Sequence, residues 1–210
     1  MNEKSITVSK TMRYFSIGDP DKANTLIYVL HGYGQLASYF IKSFIDIDED
    51  SYIIAPEGMH RFYLNGTSGR VGASWMTKEA RELDIAENTI NLDALNFQIT
   101  NKYSFKKKII IGFSQGGATA ARWFYNGNSN AKNLILWASI FPPDIKINRF
   151  INKNNIGVNY FILGRKDPFF IEANSNEIIN EYKKNNFLIL RYDGEHKIEK
   201  TILKKILNKL

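Results

Sequence analysis

Three side-chain types that together make a hydroxyl nucleophilic occur in this chain in the order serine, acid, histidine. The serine is Ser114, in Gly112-Phe113-Ser114-Gln115-Gly116, which fits the pattern G-x-S-x-G. A serine hydroxyl is a weak nucleophile until a base takes its proton, so the pattern calls for a histidine and for an acid to orient it. Glycines two residues to either side remove the Cβ atoms that would clash in a tight strand-to-helix turn, and such a turn lifts the hydroxyl to the top of a sheet. The pattern is short enough to arise by chance, so its surroundings decide. Ile109-Ile110-Ile111 ahead of it reads as a strand buried on both faces. Gly117 to Phe124 behind it reads as a helix with small first turns, whose N-terminal N–H groups favour negative charge beside the serine.

The base and acid must come from loops at the carboxyl ends of later strands, because that edge of an open α/β sheet carries the ligand crevice. Of the three histidines, His31 precedes the serine in a glycine loop and His60 lies in a long segment after the third strand, so His196, in Asp193-Gly194-Glu195-His196, is the base that the chain order allows. For the acid, Asp167 in Gly164-Arg165-Lys166-Asp167-Pro168 is favoured, because it sits on a strand-end loop between serine and histidine. Asp193 shares a short turn with His196 and reads as a turn-former. Asp144, after the strand ending near Ala138, is the outsider. A second glycine loop, His31-Gly32-Tyr33-Gly34-Gln35, follows an apolar strand. It reads either as the backbone of an oxyanion site or as a plain glycine turn.

The elements that must hold these loops can be read from periodicity. Ile6–Val8 and Met12–Ile17 predict an N-terminal hairpin. Strands are expected at Thr25–Leu30, Ser51–Ala55, Asn133–Ala138, Val158–Leu163 and Phe187–Tyr192. Helical spacing marks Leu36–Ile45. Thr77 is an expected N-cap, with Glu79 in the first turn of a helix reaching about Ile99, its apolar stripe being Leu83, Ala86, Ile90, Ala94 and Phe97. Ile171–Tyr182 and the C-terminal residues from Lys197 complete the helices. Met59–Met76 shows no clear period, and its aromatic content argues for a functional loop. Strands alternating with helices imply a mostly parallel central sheet with helices on both faces and an antiparallel edge at the N-terminal hairpin, in one domain spanning 1–210.

Composition bounds the rest. An apolar content of 44% over 210 residues excludes a disordered class. The net charge of +7 is scattered, so no nucleic-acid surface is expected. The basic C-terminal helix reads as a solvated face over an apolar one. No stretch approaches the roughly 20 apolar residues of a membrane span, and Met1–Ser5 lacks the apolar run of a signal peptide, so a cytoplasmic location is the expectation. With no cysteine there is neither disulfide nor thiol nucleophile, and no cluster has metal-ligand spacing.

Together, His31-Gly32-Tyr33-Gly34, Gly112-Phe113-Ser114-Gln115-Gly116-Gly117, Gly164 with Asp167, and Gly194 with His196 resemble the phospholipase/carboxylesterase family of α/β hydrolases, the group that includes the acyl-protein thioesterases. The resemblance implies an α/β-hydrolase fold and a triad of Ser114, Asp167 and His196. It also implies oxyanion donors at the backbone N–H groups of Tyr33 and Gln115, and a tryptophan, Trp75 in Ala73-Ser74-Trp75, brought toward the site. Many members carry Leu-Gly-Asp where this chain has Tyr33-Gly34-Gln35, and an apolar residue and proline where it has Phe169-Phe170. Trp75, Phe169 and Phe170 are therefore the expected walls of the substrate pocket, although Trp75 reads equally as a core residue that pins the long loop. The reaction implied is hydrolysis of a small-molecule carboxylic ester or thioester of small to medium acyl chain, with no cofactor. A peptidase or other acyl-transfer specificity on the same triad, or a hydrolase-like binding protein without turnover, are the alternatives. Turnover of a generic aryl ester separates them.

Overall fold

The computed structural model describes residues 1–145, 157–170 and 172–210. Its centre is a seven-stranded sheet in the order β1-β3-β2-β6-β7-β8-β9, formed by β1 (Tyr14–Ile17), β2 (Thr25–Leu30), β3 (Ser51–Pro56), β6 (Lys107–Phe113), β7 (Asn133–Trp137), β8 (Tyr160–Gly164) and β9 (Leu188–Tyr192). Every pairing is parallel except β1 with β3. All residues of β2, β3, β7 and β8 are buried, which is why these strands read as unbroken apolar runs rather than as alternation.

The helices are α1 (Ala37–Phe40, continued by a 3₁₀ turn at Ile41–Phe44), α2 (Arg81–Lys102), α3 (Gln115–Asn126), α4 (Glu172–Lys184) and α5 (Lys200–Leu207). The step from β2 to β3 runs one way along the sheet, and the steps from β3 to β6 and on to β7 run the other. Right-handed crossovers therefore place α1 on one face and α2 and α3 on the other. Contacts agree with this: α2 packs on α3, while Lys200 Nζ at the start of α5 donates to Ile45 O just beyond α1. The reversal lies between β2 and β6. At such a switch point the strand ends splay apart and open a crevice. Here those ends lead into the His31 loop and Ser114.

Several expectations need correction. The N-terminal edge is antiparallel, but β1 pairs with β3. Ile6–Val8 form no strand and are exposed, having no covered face to pack on. The segment Met59–Met76 is mostly a hairpin of β4 (His60–Asn65) and β5 (Ser68–Ser74). Its turn is Gly66-Thr67, and Gly66 at φ +59° suits the first position of a II′ turn. The pattern hid because most of the hairpin is exposed and mixes charged with aromatic residues. Leu36–Ile45 makes only a short helix and a 3₁₀ turn. Helix α2 begins four residues after Thr77, whose hydroxyl instead accepts the Glu79 N–H in a local turn. Its buried side is Asn88, Leu92, Leu95, Asn96 and Ile99, while Leu83, Ile90 and Phe97 face solvent. The buried face combines the aliphatics Leu92, Leu95 and Ile99 with two asparagines whose buried polar groups are satisfied: Asn88 Nδ2 donates to Trp75 O at 2.7 Å, and Asn96 Oδ1 accepts from Tyr28 Oη at 3.2 Å. Ile171, the expected first residue of α4, lies outside the described residues.

Candidate active site

Strand β6 ends at Phe113 and α3 starts at Gln115, so the turn between them is Ser114 alone. Its φ of +52° and ψ of −122° lie in a region closed to ordinary L-residues, a strain of order 1–3 kcal/mol that the surroundings must hold. Ser114 N donates to Trp137 O on β7 at 2.9 Å, tying the elbow to the next strand. A Cβ on Gly116 would lie 2.4 Å from the carbonyl oxygens of both Leu30 and His31, so only glycine lets α3 start this close to β2.

On the other side, the loops after β8 and β9 are joined backbone to backbone. Arg165 N donates to Tyr192 O at 2.8 Å and Lys166 N to Gly194 O at 2.9 Å, and a Cβ on Gly164 would meet Gly194 O at 2.3 Å. The Tyr192 hydroxyl, held in place by Trp137 Nε1, faces the carbonyls of Glu195 and Lys197 at 2.9 and 2.8 Å, clamping the chain on both sides of His196. Burial raises the pKa of that phenol, so it stays a donor. The consequence is a 2.7 Å contact between His196 Nδ1 and Asp167 Oδ2. Asp167 is 4% exposed, and its other oxygen accepts the Phe169 N–H at 3.0 Å. A carboxylate held at both oxygens can fix the imidazole tautomer that leaves Nε2 free to accept a proton.

The other candidate acids go elsewhere. Asp193 makes an exposed pair with Lys166. Asp144 takes the fork of buried Arg122 at 2.8 and 2.7 Å, and that guanidinium holds its carboxyl well below the usual carboxylate range.

His196 is ringed by aromatics. Its ring centroid lies 4.7 Å from that of Phe113, 4.7 Å from that of Phe169 and 6.4 Å from that of Phe170. Phe113 is the residue before Ser114, which puts the imidazole at the elbow, although no hydrogen bond joins Ser114 to His196 among the described residues. Such contacts are often loose without substrate and tighten on binding. Phe169 is 75% exposed and Phe170 is buried, so the first presents surface beside the imidazole and the second backs it.

The His31 loop closes against the serine: a Cβ on Gly32 would lie 3.2 Å from Ser114 Cβ. Its own donors are largely spent. Gly32 N donates to Gln35 Oε1, Gly34 N to Ala73 O and Gln35 N to Gly32 O. Tyr33 N has no protein acceptor among the described residues. Neither has Gln115 N, a first-turn group of α3 that lacks an intrahelical partner. Sequence reasoning missed what braces this loop. His31 is fully buried, accepts from Gly58 N at Nε2 (3.0 Å) and donates from Nδ1 to Gly32 O (2.8 Å), so both nitrogens are used by backbone and the ring is neutral. Burial lowers its pKa accordingly. Trp75, 1% exposed, lies against that ring with centroids 5.0 Å apart and donates from Nε1 to His31 O at 2.8 Å. The Gln115 side chain accepts from Trp75 N and donates to Met76 O. Trp75 thus lies buried behind the His31 loop rather than on an open wall. Among the described residues no three His, Cys, Asp or Glu side chains are grouped as metal ligands.

Residues 22–201 match the family described as serine hydrolase (FSH1). The chain belongs to that family. No curated protein matches its sequence. Among solved structures, a carboxylesterase from Mesorhizobium loti is similar with a TM-score of 0.72 at 13% identity, over 95% of each chain. The esterase PE8 is similar with a TM-score of 0.70 at 18% identity, over 95% of this chain and 99% of that one. Acyl-protein thioesterase 2 from Zea mays has a TM-score of 0.66 at 18% identity, over 94% and 98%. These likenesses show the α/β-hydrolase fold, and the family makes the protein a serine hydrolase, in keeping with the resemblance carried by its motifs. No helix among the described residues is long and apolar enough to cross a membrane.

Proposed function

We propose that this serine hydrolase cleaves carboxylic esters or thioesters of small to medium acyl groups through an acyl-enzyme, using Ser114, His196 and Asp167 in one domain. The observation that carries the reading is the 2.7 Å Asp167–His196 contact on two interlocked strand-end loops, beside an elbow that holds Ser114 at positive φ. Ser114 Oγ attacks the carbonyl carbon and its proton passes to His196 Nε2. The bond to the leaving group then breaks, with that proton returned to it, and water repeats the sequence on the acyl-enzyme. Tyr33 N and Gln115 N receive the oxyanion. Each such donor is worth about 3 kcal/mol in the transition state. Phe169 and Phe170, set around the imidazole, are proposed to bound the acyl site, and Trp75 to act from behind by fixing the loop that carries Tyr33. The similar structures, esterases and a thioesterase among them, favour esters over other acyl compounds.

The test is hydrolysis of 4-nitrophenyl esters of increasing acyl length. Turnover that peaks at short or medium chains and vanishes in Ser114→Ala is expected. Turnover that survives in that variant, or a preference for long lipid chains, contradicts the proposal.

A further inference from the structure

A cleft of about 480 Å³ adjoins the His31–Gln35 loop at Leu36 and is lined by Arg13, Leu36, Arg61, Phe62, Tyr63 and Val71. Its charge is organised from beneath. Glu57, whose side chain is fully buried, accepts Arg13 Nε and Nη2 at 3.0 and 2.6 Å and Arg61 Nη1 at 3.4 Å on one oxygen, and the Ala37 N–H at 3.3 Å on the other. One carboxylate thus positions two guanidinium groups and leaves an excess of one positive charge. Arg61 spends a single long bond on Glu57 and keeps Nε and Nη2 without a protein acceptor among the described residues, on a side chain 37% exposed. Those two N–H directions form the edge that grips a carboxylate in parallel hydrogen bonds. A monoanion balances the excess charge, whereas a phosphate monoester would overshoot it. Leu36, Val71 and the rings of Phe62 and Tyr63 give the remaining wall an apolar character suited to a hydrocarbon body.

The cleft is also coupled to the site. The Phe62 ring lies 5.2 Å from that of Tyr33, the residue proposed above as an oxyanion donor, and the β4–β5 hairpin that carries Arg61 bonds to the His31–Gln35 loop through Gly34 N to Ala73 O. We propose that Arg61, with Arg13, binds the carboxylate of substrates whose far end is a carboxylic acid joined to the ester by an apolar chain, that is, half-esters of dicarboxylic acids. This rests on the ester-hydrolase reading above. A remote carboxylate held equally in ground and transition states lowers KM rather than raising kcat.

The experiment compares 4-nitrophenyl esters of six-, eight- and ten-carbon monoacids with the 4-nitrophenyl half-esters of the diacids of the same lengths, in wild type, Arg61→Met and Arg61→Lys. At one length at least, the half-ester is expected to have a kcat/KM about tenfold higher or more than its neutral match, mainly through KM. Arg61→Met should abolish that advantage while changing neutral-ester turnover by no more than about twofold, and Arg61→Lys should restore part of it. Neutral esters hydrolysed with no advantage for any half-ester, or an advantage that survives in Arg61→Met, overturns the proposal while leaving the ester-hydrolase reading intact. If neither ester class is turned over, the parent reading fails instead, and titration of 4-phenylbutyrate by calorimetry then decides the cleft. Binding weakened about tenfold in Arg61→Met supports a carboxylate site, and binding of equal strength in both proteins, or none, refutes it.

Discussion

Two histidines stand beside the Ser114 elbow, and their surroundings suit them to opposite roles, a brace and the proposed base. His31 is fully buried, and both its nitrogens are committed to backbone groups, so it has nothing left with which to take a proton. His196 commits one nitrogen to a carboxylate and is only partly buried, with its ring bordered by Phe113 and Phe169. A histidine becomes a base by having one nitrogen anchored by an anion and one left unbonded. A histidine with two backbone partners becomes a brace. Nearness to the serine does not distinguish them.

Ser114→Ala and His196→Ala are each expected to reduce kcat for an aryl ester by up to about a millionfold, because the members of such a unit fail together. Stopped assays at high enzyme concentration measure this. If His196→Ala retains a tenth of wild-type activity, the base has been misassigned. Next, Asp167→Asn should lower kcat by roughly ten-thousandfold at neutral pH by favouring the wrong imidazole tautomer. Asp193→Asn, which removes an exposed pair with Lys166, should stay within about twofold. The reverse ranking in steady-state kinetics would move the acid to the other loop.

The brace should fail through stability. Trp75→Ala removes a fully buried ring and the donor to His31 O, so a loss of about 3–5 kcal/mol is expected in urea unfolding. A loss under about 1 kcal/mol would show that the loop does not depend on it. The smallest effect concerns pH. Because burial depresses the pKa of His31 in the folded chain, the unfolded chain binds the extra proton. Its contribution to stability is therefore complete above the unfolded value near 6.5 and falls as pH drops below it, by up to about 1.4 kcal/mol per pH unit. Unfolding free energies at pH 7.5 and 5 should differ less in His31→Asn than in wild type. Equal pH dependence in the two proteins would mean that His31 protonates as easily folded as unfolded.

How much of this could be read in advance follows from how local each signal is. The parallel strands were legible because burial on both faces leaves an apolar run such as Leu26 to Leu30. The elbow was legible because its glycines and its flanking elements are contiguous. The loops carrying Asp167 and His196 could be named because chain order and the strand-end rule restrict the choice. Their interlock, through Gly164 against Gly194 and the Arg165 and Lys166 N–H groups on the second loop's carbonyls, joins segments about thirty residues apart and leaves no local pattern. The β4–β5 hairpin was missed because it is largely exposed, although Asn65-Gly66-Thr67 carried a turn signal. The orientation of α2 was hidden for a different reason. Leu83, Ile90 and Phe97 make one apolar stripe, yet the helix turns them outward and buries Leu92, Leu95 and Ile99 together with Asn88 and Asn96, which reach Trp75, Tyr28 and Asn128. A periodicity argument weighs apolar surface alone and cannot see which polar groups the fold must satisfy.

The most direct test of the central claim, that Ser114 is the activated nucleophile, is labelling with a fluorophosphonate followed by peptide mass analysis. A single adduct is expected, on the peptide containing Ser114, forming in wild type and absent from both Ser114→Ala and His196→Ala. An adduct on another residue, or labelling that persists in the Ser114→Ala protein, would contradict it.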